Sequence, residues 1–268
     1  MRANDIRPDV PIRYGAYICL RVPADHRATV ADIDVPALAG RLGLRNEYDA
    51  ADGDPPESIA YLLRISAAPR QLADPAVEQA DAIVHVAAGT AAPVAEFRAE
   101  LSRLLGTAAS AHVLAGELRA PIYSGAAMWN FAYAHRILQQ PAAVMPNVFL
   151  VPMSKTADWW RKDWMERNTY FLPRYDDTGA MRWEGHAAAA APGIACLLRR
   201  TYEGPTQPAA EDDYDFINYF ECADTDVPVF HSVCDALRDT TRNPEWKFVR
   251  EGPTWHGRRT ASWPELFG

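Results

Sequence analysis

The sequence predicts an α+β fold in which two βαββαβ units lie in tandem and close into one barrel within a single chain. Two observations carry this. The chain echoes itself: Ile59 to Arg64 (IAYLLR) returns as Ile194 to Arg199 (IACLLR), Asp81 to Val86 (DAIVHV) as Asp215 to Phe220 (DFINYF), and Pro121 to Gly125 (PIYSG) as Pro253 to Gly257 (PTWHG), at offsets of 135, 134 and 132 residues in a chain of 268. Within each half, short apolar runs with strand periodicity alternate with segments of helical periodicity in one order.

In the first half, Gly15 to Val22 reads as a strand, Pro36 to Leu44 as a short helix, and the acidic, proline-bearing stretch Asn46 to Glu57 as a loop. Ile59 to Ser66 and Ala82 to Ala87 are the next strands. Pro93 to Leu105 sets Val94, Phe97, Leu101 and Leu104 on one helical face, and Val113 to Tyr123 closes the unit. Met128 to Gln140 is a connecting helix. The second half runs through a strand at Val148 to Val151, a helix at Asp158 to Leu172 and a short alanine-rich helix at His186 to Ala191 stopped by Pro192-Gly193. Strands follow at Ile194 to Tyr202 and Tyr214 to Cys222, then a helix at Val227 to Arg238 and a last strand at Trp246 to Gly257. Residues 1–140 form unit one with an N-terminal arm, and residues 141–268 form unit two, expected to bear the site. Each is a ferredoxin-like unit with one uncovered apolar sheet face, and joining those faces makes an α+β barrel with room for a small ligand.

Composition narrows the function. A net charge of −8 opposes binding to nucleic acid or an anionic membrane, since both need concentrated Lys and Arg. No long apolar run or secretory leader is visible, which predicts a cytoplasmic protein. Cys19, Cys196, Cys222 and Cys234 lack metal-ligand spacing and read as reduced core residues. Nucleotide loops, nucleophile elbows and zincin motifs are absent.

The run Trp160 to Leu172 (WRKDWMERNTYFL) resembles the first-helix motif of the EthD-like group of the dimeric α+β barrel superfamily, in which a tryptophan precedes a histidine by four positions. Asn168 stands where the motif has its histidine. The resemblance implies the fold, and a range of activities that includes aromatic catabolism, cofactor-free oxygenation and polyketide cyclisation. More distantly it implies the heme enzymes chlorite dismutase and aldoxime dehydratase, which also pair two such units.

Strand alternation proposes the site. Asp215, Ile217, Tyr219 and Glu221 share the face expected to look into the barrel, with His85 in unit one at the place matching Tyr219. The leading expectation is a cofactor-independent lyase or dehydratase acting on a small hydrophobic or aromatic metabolite in the barrel cavity. His256 would move the proton, while Tyr219 and Arg199 hold a developing negative charge. Trp255, Asn168, Tyr170, His186, Glu221, His85 and Tyr123 are candidate substrate contacts, and the anionic partner expected for Arg199 is either a substrate carboxylate or phenolate or, at least as readily, Glu221 or Asp215. No cofactor or metal is expected on this reading, and a homodimer is. One alternative is a heme enzyme with His231, on the last helix, as the axial ligand that the resemblance implies. The other is a non-catalytic carrier of small molecules.

Overall fold

The computed structural model describes residues 13–49, 57–118, 145–204, 208–210 and 213–268. Tyr123 and the predicted connecting helix lie outside them. Eight strands, numbered here in chain order, make the barrel: β1 (Arg13–Arg21), β2 (Ser58–Ala68), β3 (Ala82–Ala88), β4 (Ser110–Leu118), β5 (Asn147–Lys155), β6 (Leu198–Glu203), β7 (Phe216–Cys222) and β8 (Thr254–Thr260). Neighbours in space run β4-β1-β3-β2-β8-β5-β7-β6 and return to β4, so the sheet closes on itself. Every pairing in this ring is antiparallel. Each half contributes four consecutive strands in the ferredoxin-like order, and β2–β8 and β4–β6 are the seams. Closure removes the strand edges that two separate sheets would expose.

Alternation along each strand divides the apolar residues between two cores. Tyr17, Ala60, Ile83, Leu150, Tyr202, Tyr219 and Trp255 point inward and fill the barrel. Ile18, Leu20, Val84 and Val86 point outward in unit one and meet Val94, Phe97 and Leu101 of a long helix, Ala91–Leu105. In unit two, outward Phe149 and Val151 meet Phe230 of the helix Val227–Arg238.

Several elements differ from their sequence expectations, each for a local reason. The helix expected over Asp158 to Leu172 is two, Ala157–Arg161 and Trp164–Thr169, because Asp163 turns out of the first and caps the second, its Oδ1 accepting from Glu166 N at 2.8 Å. The strand expected from Ile194 starts only at Leu198. Pro192-Gly193 opens a 3₁₀ turn, and the bonds Cys196 N to Gly193 O and Leu197 N to Gly193 O continue it. The last strand is interrupted at Gly252-Pro253 between Val249–Glu251 and β8, since proline has no amide proton for the ladder. Among the described residues no helix is long and apolar enough to cross a membrane.

Candidate functional site

The cavity that stands out lies outside the barrel, between the outer face of the unit-two sheet and the helices that cover it. It encloses about 850 Å³ of empty space, counting its open mouth. Met153, Lys155, Arg199, Phe216, Asn218 and Phe220 form its sheet wall. Ala187, Ala190, Gly193 and Ile194 form much of the opposite wall, with Val233 and Leu237 of the long helix beside them. The sequence Gly185–Ala190 (GHAAAA) explains the space: a covering helix of alanines forms readily and brings almost no side-chain volume onto the sheet.

His186 enters this cavity from the first turn of that helix. The turn is fixed by its neighbours, His186 N donating to Tyr170 O and Ala187 N to Phe171 O, both at 3.0 Å. Gly185 has φ +73, and a Cβ there would lie 2.6 Å from the carbonyl oxygen of Leu172. The position demands glycine on both counts. The imidazole leans on Phe171, with centroids 5.1 Å apart, and its Nδ1 is 2.7 Å from Glu245 Oε2. Glu245, buried in the 3₁₀ turn Pro244–Phe248, accepts on its other oxygen from Lys155 Nζ. Lys155 in turn lies 4.4 Å from the centre of the Trp159 ring.

Electrostatics follow from this relay. Burial alone would push the Glu245 carboxyl up, but the Lys155 ammonium and the hydrogen-bonded His186 outweigh it and hold the group down at about 2. Burial draws Lys155 below the usual lysine range, against the pull of Glu245. With the partners in direct contact, Coulomb attraction decides, and the pair is ionised. No described residue bonds His186 Nε2, the ring nitrogen that does not face Glu245. On the sheet wall, Arg199 Nε donates to Thr201 Oγ1 at 3.0 Å and its Nη2 to Asn218 Oδ1 at 3.2 Å, which fixes the guanidinium against the sheet.

The remaining sequence candidates fall elsewhere. His256 and Phe149 stack at 4.2 Å on the outer face, and His256 Nε2 lies 3.2 Å from Asn147 Oδ1. Burial, with help from His231 and Arg258, depresses that imidazole to about 4. His231 is exposed, with its ring against Phe149 and Phe230, and does not line the cavity. Tyr170 packs on Trp159 and Phe248. Asn168 is half-buried near the end of Trp164–Thr169. His85, Tyr219 and Trp255 are buried inside the barrel, and Glu221 is paired there with Arg259. Arg199 therefore does not pair with Glu221 as expected. Register sets Arg199 opposite Phe220 and Glu221 opposite Leu198, so the two charges occupy opposite faces of the sheet. Lys155 and Glu245 escaped the sequence reading, although a lysine ending the apolar run VFLVPMSK was a visible signal.

No family model and no curated protein matches the chain. Solved structures do. A chlorite dismutase from Candidatus Nitrospira defluvii with an arginine replaced by glutamate aligns with TM-score 0.66 and 19% identity over 99% of this chain and 98% of its own. The same enzyme in complex with imidazole gives 0.64 and 20% over 95% and 93%. A variant with a tryptophan replaced by phenylalanine, in complex with cyanide, gives 0.64 and 20% over 99% and 97%. The fold is that of the chlorite dismutases. This overturns the leading expectation of a cofactor-independent lyase of aromatic breakdown, and with it the EthD-like grouping. The location assumed for that chemistry fails as well, because Tyr17, Tyr202, Tyr219 and Trp255 pack the barrel interior where the substrate was to bind.

Proposed function

We propose that this chain is a heme-dependent enzyme of the chlorite dismutase kind, whose unit-two cavity would take the cofactor and whose His186 Nε2 would hold it. The observation that carries the reading is the relay from Lys155 through Glu245 to His186 at the wall of an apolar cavity. The donor set suits the group: one imidazole with a ring nitrogen that no described residue bonds, a carboxylate behind it, and small-residue walls on the covering helix. Heme, when bound, supplies electron-transfer and oxygen-atom chemistry at its iron.

The chain's own residues do the rest. Glu245 takes the Nδ1–H of His186, which fixes the tautomer, orients the ring and makes Nε2 a stronger donor. Lys155 keeps that carboxylate ionised. Arg199, permanently charged and held by Thr201 and Asn218, draws a small anion into the cavity from the sheet side and orients it. The apolar walls limit water and so strengthen both effects. The imidazole and cyanide complexes of the structural neighbours support the reading, because both molecules are metal ligands. Self-association belongs to the same proposal. Trp164, Met165, Leu172, Tyr175 and Met181 are all exposed within one segment, a surface of the kind that pairs chains. The sequence echoes between residues 1–140 and 141–268 support descent of the two units from one duplicated segment.

The test is to load the purified full-length chain with hemin and titrate the Soret band. One hemin per chain, with turnover of chlorite, supports the assignment. No saturable binding overturns it.

A further inference from the structure

Behind the sheet that carries Arg199, the barrel encloses a cluster that the cavity chemistry leaves unused. Tyr202 sits three residues after Arg199 on the same strand, facing inward, and its hydroxyl is 3.1 Å from His85 Nε2. His85 Nδ1 is 3.5 Å from Glu47 Oε1. The His85 ring stacks on Tyr17 at 4.6 Å and on Tyr219 at 5.8 Å. Arg200 Nη1 approaches Glu47 Oε2 at 3.3 Å, Arg259 Nη2 approaches it at 3.2 Å, and Arg259 also contacts Glu221. All of these side chains are buried. A buried charge network of this kind is seldom more stable than well-packed apolar residues of equal volume, so stability does not account for it.

The arrangement has a chemical sense. Glu47 attracts the proton of His85 to Nδ1, which leaves Nε2 as an acceptor aimed at the Tyr202 hydroxyl. A phenol hydrogen-bonded to an imidazole that is backed by a carboxylate can lose an electron without becoming a buried cation, because its proton moves at the same time.

We propose that Tyr202, with His85 and Glu47 behind it, is a proton-coupled oxidation site that takes an oxidising equivalent from the cavity on the other face of its strand. This rests on the heme reading for the source of the oxidant. With a hydroperoxide as oxidant, a heme held by His186 would supply two oxidising equivalents. Tyr202 would fill one by giving up an electron, its phenolic proton passing to His85 Nε2 while the Nδ1–H stays beside the Glu47 carboxylate. The products are a neutral tyrosyl radical and an imidazolium held by a carboxylate. An external one-electron donor, with return of the proton from His85, restores the phenol. The ring stack with Tyr17 and Tyr219 gives the radical neighbours over which to spread.

The test is electron paramagnetic resonance on hemin-loaded protein frozen after mixing with hydrogen peroxide. A tyrosyl signal is expected that is lost in Tyr202→Phe, weakened in His85→Gln, and retained in Tyr17→Phe, whose hydroxyl has no partner in the cluster. A signal unchanged in Tyr202→Phe, or no tyrosyl signal although the Soret band shows that peroxide has reacted, overturns the proposal. If hemin does not bind, the heme reading has failed by itself. The oxidation site is then tested in the cofactor-free chain by pulse radiolysis with azide radical, where the same dependence on Tyr202 and His85 is expected and its absence is decisive.

Discussion

The outer faces of the two units are built on the same four-stranded pattern, yet one is solid and the other hollow. In unit one, Phe97 and Leu101 of the helix Ala91–Leu105 reach down onto Ile18, Val84 and Val86, and Trp263 adds its ring with its indole nitrogen bonded to Val30 O. In unit two, Gly185–Ala190 stands between the first and second strands, where unit one has Val35–Arg41 with Val35 and Leu38 buried, and it presents alanines to the sheet, with Gly193 just beyond. The topology does not make the cavity. Side-chain volume on the covering helix makes it, and whichever unit has lost that volume can take a ligand.

Breaking the comparison at its chemical centre has the largest effect. His186→Ala is expected to abolish the Soret band of bound hemin while far-ultraviolet circular dichroism stays native. Ala190→Trp, which gives the hollow face the volume of the solid one, is expected to do the same with every polar residue intact. The converse experiment is Phe97→Ala. It hollows unit one and should lower stability by about 3–5 kcal/mol in urea unfolding, yet confer no hemin binding, since among the described residues no imidazole lies in the core on that face. Glu245→Gln keeps the shape and removes the charge behind His186, and should weaken hemin binding about 10–100-fold.

The smallest effect concerns pH. His256 is depressed to about 4 in the folded state, so the unfolded chain binds the extra proton first as pH falls through the ordinary histidine value of ~6.5. Its contribution is complete above that value and fades as pH falls toward 4. His256→Asn should flatten the urea midpoint across this window and leave hemin affinity unchanged. An altered affinity would mean that the outer-face histidines communicate with the cavity.

Much of the barrel was legible because strand alternation survives in the sequence. Ile217 and Tyr219 do face inward, and Phe216, Asn218 and Phe220 do lie under the helices. Local competition hid the rest. The echo between Ile59 and Ile194 is real in sequence, but Pro192-Gly193 folds the second copy into a turn, so matched letters do not mean matched strands. The relay was hidden for a different reason. Lys155 ends a strand and Glu245 lies in a 3₁₀ turn far along the chain, and the pairing of Val249–Glu251 on β5 helps to bring them together. Single-residue clues such as His186 carry little weight until such partners are known.

Gly185 has an evolutionary consequence. Any side chain at this position must push the start of the helix away from Leu172, carrying His186 with it, while the barrel and the paired charges are left as they are. One nucleotide change could thus silence the chemistry without touching any residue that performs it. Descendants silenced in this way would still fold, assemble and look intact to any search for the reactive groups. In a lineage of such proteins, the glycine before the histidine separates working copies from inactive ones.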